Sequence, residues 1–230
     1  MGDAVGDPGL RQRALVHAAL GEPARLAVAE ALIVSDRSPK ELAERLELGS
    51  NLLAHHLDVL EAAGVVARSV SAGDARRRYV RLSPHIASQL VVARRPPRGV
   101  MTFLCTHNSA RSQLAATIWT SRTGLPARSA GTRPAARVHR GAVAAARRAG
   151  LSLDGAAPSA IGAIEGTGQV VTVCDLVHEE LDVRSDWWHW SIPDPTASAR
   201  AADFDAVVDE LRTRIEMVVR VTQQREDGAR

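Results

Sequence analysis

The chain has 230 residues, 45% of them hydrophobic and 24% charged, a length better suited to two modest domains than to one large one. Its two cysteines, Cys105 and Cys174, form no CxxC pair, which argues against a disulfide framework and a zinc site and leaves each thiol as a reactive group or core filler. The net charge of +3 permits nucleic-acid binding without requiring it, and the opening MGDAVGDPGLRQR has no signal-like apolar run; with no transmembrane-length stretch later, a cytoplasmic protein is expected.

The first elements read as helices. Leu26, Ala29, Ala31, Leu32 and Ile33 give an apolar face, Pro39 opens a short helix through Leu46, and Gly49-Ser50 turns into a helix with Leu53, Leu57 and Leu60 on one side up to Gly64. Two strand-like runs follow, Val65 to Val70 and Arg77 to Leu82, around the turn residues Ser71-Ala72-Gly73-Asp74. A helix-turn-helix followed by a basic hairpin predicts an α+β winged-helix domain over 10–93. Arg94-Arg95-Pro96-Pro97-Arg98-Gly99 interrupts helix and strand alike and is expected to be the linker. A second domain over 100–220 alternates: strand 100–104, helix Gln113 to Ser121, strand 127–130, helix 138–149, strand 169–174 and helix 203–219. This pattern predicts an α/β domain with a central parallel sheet. The tails 1–9 and 221–230 are expected to fray.

The most chemical segment joins the first of these strands to its helix. Cys105-Thr106-His107-Asn108-Ser109-Ala110-Arg111-Ser112 lies where backbone N–H groups and the positive end of a helix dipole converge, which is an anion cradle. Donors that hold an oxyanion also stabilise a thiolate at Cys105. Arg111, six residues on, can fold back as a planar fork for two oxygens of a tetrahedral anion. Ser112 can donate to the sulfur, and Asn108 can hold the loop in an unusual backbone shape. Thr106, His107, Asn108, Ser109, Ala110 and Arg111 are therefore the expected oxyanion-binding residues.

FLCTHNSARSQLA resembles the phosphate loop of the low-molecular-weight tyrosine phosphatase superfamily. SAGTRP at 129–134, VVTVCD at 170–175 and HWSIPDP at 189–195 resemble arsenate reductases within it. The resemblance implies that Cys105 is the nucleophile, Arg111 the oxyanion binder and Asp194, between two prolines, the general acid that protonates the leaving oxygen. Thr196-Ala197-Ser198 stands where phosphatases of this superfamily carry an aromatic wall, which favours a small inorganic oxyanion over an aryl ester. Cys174 matches the second cysteine of a thioredoxin-coupled relay whose third cysteine is missing. It either resolves a Cys105 adduct or packs the core while an external thiol attacks. No bound cofactor and no metal are expected; the reductant would be thioredoxin, or a low-molecular-weight thiol with a redoxin. His107 replaces a small residue of the family loop and is expected to point outward, and Trp187, Trp188 and Trp190 are expected to be packing and lid residues.

GEPARLAVAEAL, PKELAERL, LLAHHLDVLEAAGVV and RRRYVRL resemble, in order, the ArsR family of winged-helix repressors over about 17–86. This implies a homodimer on operator DNA, with Asn51, His55 and His56 on the helix facing the major groove and Arg76, Arg77 and Arg78 on the wing against phosphates. The region has no cysteine, so the thiolate arsenite site of many relatives is missing. The combined expectation is an arsenate reductase fused to an ArsR-like regulator. The alternatives are a phosphatase acting on phosphate esters, or a non-catalytic regulator responsive to an oxyanion.

Overall fold

The computed structural model describes residues 7–87, 89–90, 97, 99–163, 168–181 and 186–228. The chain falls into two units, Met1–Val70 with Arg76–Val92, and Ser71–Ala75 with Ala93–Arg230. Most of the expected linker 94–99 lies outside the described residues.

The first unit begins with α1 (Pro8–Leu20), whose first-turn N–H groups are held by the Asp7 carboxylate. Its start at Pro8 corrects the expectation of a frayed tail through residue 9: an aspartate cap followed by proline is a strong helix start. α2 (Pro23–Ala31) and α3 (Pro39–Leu46) also start on proline, and Ser38 with Glu41 forms a reciprocal capping box on α3. After a turn through Glu47, at φ 54°, comes α4 (Ser50–Ala62). Then β1 (Val66–Val70) and β2 (Arg78–Leu82) pair antiparallel in the register Val66↔Leu82, and a single bridge joins Arg37 to Val80. The short α5 (Pro84–Ala87) follows. Val28, Leu32, Leu42, Leu57, Leu60 and Tyr79 are buried, so the three central helices and the hairpin share one core.

In the second unit β3 (Met101–Cys105) is buried along its whole length and lies inside a four-stranded parallel sheet. Its neighbours are β4 (Ala127–Gly131) and β5 (Val170–Thr172), and β6 (Trp188–His189) forms the edge beyond β5. α6 (Arg111–Thr123) returns from β3, α7 (Arg140–Arg148) follows β4, and α8 (Asp175–Glu180) follows β5. A 3-10 turn covers Ile161–Ala163. α9 (Ala201–Gly228) buries Phe204, Val208, Leu211, Ile215 and Val218 at helical spacing against α6 and α7. It runs well past the expected end at 219, where only fraying was anticipated.

The register Cys105↔Gly131 sets the end of β4 against the loop that leaves β3. A Cβ on Gly131 would sit 2.6 Å from the Thr106 carbonyl oxygen and 2.9 Å from the Asn108 nitrogen. Only glycine lets the strand and loop approach this closely. Among the described residues, no helix is long and apolar enough to cross a membrane.

Candidate active site

The β3–α6 loop is built around Asn108, which is fully buried with φ 48°, a left-handed conformation that asparagine tolerates better than most residues. Its backbone N–H donates to the Cys105 sulfur at 3.2 Å. Its side-chain Nδ2 donates to Ser112 Oγ at 2.8 Å, and Ser112 Oγ lies 3.0 Å from Cys105 Sγ. A hydroxyl that already accepts from an amide has its own proton left for the sulfur, so Ser112 is set to donate to a thiolate. On the other side, Asn108 Oδ1 accepts from Gln113 Nε2 at 3.0 Å and from the Ser159 N–H at 2.8 Å.

The loop's outer carbonyls are tied as well. Thr106, His107 and Ser109 carbonyls accept from the N–H groups of Arg133, Ala135 and His139, each at 2.8 to 2.9 Å. The start of α6 carries no side-chain cap, which leaves its first turn free of an internal competitor for an anion. Cys105, Thr106, Ala110, Arg111 and Ser112 are buried, Ser109 is half-buried, and His107 is exposed.

Arg111 and Asp194, far apart in sequence, meet here. Arg111 Nη2 donates to Asp194 Oδ2 at 2.9 Å, and Nη1 donates to the Ile192 carbonyl at 3.0 Å. Asp194 Oδ1 accepts from the Thr196 N–H at 2.9 Å and from its hydroxyl at 2.8 Å. Partial burial pushes the Asp194 carboxyl up, but the Arg111 guanidinium, the two Thr196 bonds and the charge of His107 outweigh it and hold the group below the usual aspartate range.

Cys174, at the N-cap of α8, is buried, with its sulfur 3.5 Å from Thr106 Oγ1. Burial pushes its thiol up, against the downward pull of Arg111 and Thr106, and the nearby Cys105 adds to the upward shift. The second cysteine therefore adjoins the same loop as the first. Trp190 is buried and stacks obliquely on Phe103 at 5.8 Å, while Trp187 and Trp188 are half-buried.

Sequence reasoning missed several contributors. Gln113 reads as an ordinary polar helix residue, yet it is buried and buttresses Asn108. The Ile192 carbonyl and the Thr196 cap carry no side-chain signal that a motif could reveal. Asp175 and His189, which the sequence shows only as members of two family-like motifs, form a buried pair with Oδ1 and Nε2 3.1 Å apart.

In the first unit Asn51, His55, Arg76, Arg77 and Arg78 are exposed. His56 departs from its expected place on the outer face of α4. It is buried with Leu53, Leu57 and Leu60, and its Nδ1 lies 3.7 Å from Glu22. It occupies the helical stripe that faces the core, so it is removed from the DNA-contact set.

The family model described as low molecular weight phosphotyrosine protein phosphatase matches residues 100–227. Similar solved structures include an arsenate reductase of Archaeoglobus fulgidus, at 25% identity, 52% of this chain and 98% of that one, with a TM-score of 0.44. A tyrosine phosphatase of Erwinia amylovora is 18% identical over 53% of this chain and 91% of its own, with a TM-score of 0.47. A thioredoxin-dependent arsenate reductase of Corynebacterium glutamicum is 21% identical over 61% of this chain and 68% of its own, with a TM-score of 0.45. No curated protein matches the sequence.

Proposed function

Because the chain belongs to the low molecular weight phosphotyrosine protein phosphatase family, we propose that its second unit is a thiol-dependent arsenate reductase with Cys105 as the nucleophile. The observation that carries this reading is the pair of thiols at one cradle: Cys174 adjoins the Thr106 hydroxyl next to the nucleophile. A second sulfur beside the nucleophile is what a disulfide-forming reduction uses and what ester hydrolysis does not require. The lack of an aromatic wall after Pro195 supports the same choice, since Thr196 is spent on capping Asp194.

Arsenate would enter the cradle and take over Arg111, displacing the Asp194 carboxylate. Freed from its counter-cation, Asp194 can carry the proton that the leaving oxygen needs. The Cys105 sulfur attacks arsenic, the As–O bond breaks, and the oxygen leaves as water with the Asp194 proton. A second thiolate, from Cys174 or from an external thiol, then attacks the Cys105 sulfur. The S–As bond breaks with its electron pair staying on arsenic, which leaves as arsenite, and a disulfide remains for thioredoxin or a low-molecular-weight thiol with a redoxin to reduce. Such a cycle suits the reducing cytoplasm.

We read the first unit as an ArsR-like DNA-binding domain acting as a homodimer. Supporting this are the exposed Asn51 and His55 on α4, and the exposed Arg76, Arg77 and Arg78 at the hairpin. A phosphatase reading is favoured by one observation, the family's own description, and it predicts hydrolysis of aryl phosphate without thiol-dependent arsenite production. A pure oxyanion sensor predicts anion-dependent DNA binding and no turnover, and gives Asp194 nothing to do.

The test is arsenite production by full-length protein, wild type beside Cys105→Ser and Cys174→Ser, with thioredoxin and low-molecular-weight thiols supplied separately. Loss with Cys105→Ser alone assigns resolution to an external thiol, and loss with both gives Cys174 that step. No arsenite with any donor overturns the reductase. Binding of DNA from upstream of the coding sequence, weakened by Asn51→Ala and His55→Ala and steeply salt-dependent, tests the first unit.

A further inference from the structure

The segment that carries Asp194 has little backbone of its own to hold it. Among the described residues β6 is a two-residue edge strand, paired through Val171↔Trp188 and Thr172↔His189, with the Trp190 N–H donating to the Thr172 carbonyl at 2.8 Å. So short an edge is a weak anchor for a loop that must present a carboxyl group to within ångströms of a reacting atom.

Side chains supply what the backbone lacks. His189 is fully buried with both ring nitrogens engaged, Nδ1 2.9 Å from Thr172 Oγ1 and Nε2 3.1 Å from Asp175 Oδ1. Asp175 is buried too and also accepts from the Ser191 side chain, so one carboxylate grips the residues on both sides of Trp190. His178 stacks on the His189 ring, centroids 4.0 Å apart and planes 17° apart, with its Nδ1 3.2 Å from the same Thr172 hydroxyl. Immediately downstream of this clamp, the Ile192 carbonyl and the Asp194 carboxylate make the two bonds to Arg111. Burying a carboxylate with an imidazole carries a desolvation cost that apolar packing would avoid, and what the pair adds is a fixed geometry.

We propose that Asp175 and His189 are positioning residues that hold the acid loop in register with the Arg111 clamp. Asp175 directly follows Cys174, so the clamp also joins the segment of the second cysteine to the loop of the acid. The assignment rests on reading Asp194 as the general acid, and it acts through that residue without touching substrate.

The experiment follows the Asp194 carboxyl carbon by NMR through a pH titration of full-length protein. In the wild type this carboxyl should titrate below the usual aspartate range, and in His189→Ala it should return toward that range as the loop comes free of Arg111. His189→Gln, which keeps an N–H donor within reach of Asp175, should restore the wild-type behaviour. Asp175→Asn, close to isosteric, should give an intermediate shift and serves if His189→Ala does not fold. An Asp194 titration unchanged in a folded His189→Ala or Asp175→Asn protein overturns the proposal. In the arsenate assay His189→Ala should lower kcat by roughly 10- to 100-fold, a large part of what a general acid supplies, without raising KM. A raised KM at unchanged kcat overturns it as well. If Asp194→Asn leaves turnover intact, or wild type makes no arsenite, the acid or reductase reading fails, while the carboxyl titration still decides the positioning.

Discussion

Asn108 illustrates how much of the site hangs on one side chain. With Nδ2 on Ser112, Oδ1 shared by Gln113 and Ser159, and its N–H on the Cys105 sulfur, it ties together the end of β3, the start of α6 and the Ser159 segment from a fully buried position. Asn108→Ala leaves buried donors without acceptors and should destabilise the protein by about 2–3 kcal/mol in urea unfolding, by the cost of orphaned buried polar groups. Asn108→Gly relieves the left-handed backbone but not the lost bonds, so it should recover only a minor part. Asp194 gives a second expectation at this scale. Its carboxylate occupies the guanidinium that an oxyanion needs, so any anion must compete with it. Sulfate should bind more tightly as pH falls toward the depressed Asp194 range, because protonation removes the competitor. Asp194→Asn isolates the difference: it should bind sulfate severalfold tighter near neutral pH and lose the part of the pH dependence due to the carboxylate, measurable by calorimetry.

Elements with a long pattern or a strong start were legible in the sequence, and short or context-dependent ones were not. β3, α6 and the hairpin of the first unit fall close to their expected ranges because apolar runs and turn residues bound them. α8 and β6 are not legible for a physical reason: six helical residues and two strand residues are too few to carry a period, and their contacts, β6 with β5 and Asp175 with His189, join residues distant in sequence. α1 was missed because its apolar face is weak, although Asp7-Pro8 announces it. The reactive loop was legible because its chemistry is contiguous, whereas Gln113, Ile192 and Thr196 matter only through contacts across the fold. His56 was misplaced because adjacent residues on a helix point about 100° apart, and the outer face at His55 excludes its neighbour. The packing of β4 against the loop also yields a test. Gly131→Ala would force a methyl group onto the Thr106 carbonyl and should destabilise the protein by about 1–3 kcal/mol in the same urea experiment, by the cost of overpacking. Oxyanion binding should suffer more than α9 packing, because the clash falls on the loop.

At the scale of the whole molecule, every residue proposed for chemistry lies between Cys105 and Asp194, within the region matched by the family model. The first unit contributes no cysteine. Both thiols of the chain are free in the structure. This makes the protein a container of known electron capacity: two sulfhydryls can yield one disulfide and two electrons, which is what one arsenate requires, and the chain has no further thiol reservoir to draw on. Protein reduced beforehand and then freed of reductant should therefore release at most one arsenite per chain in a single burst. A burst of one means that Cys174 closes the disulfide. A burst of zero, with an arsenic adduct detected on Cys105, means that the second sulfur of the proposed cycle arrives from outside the chain.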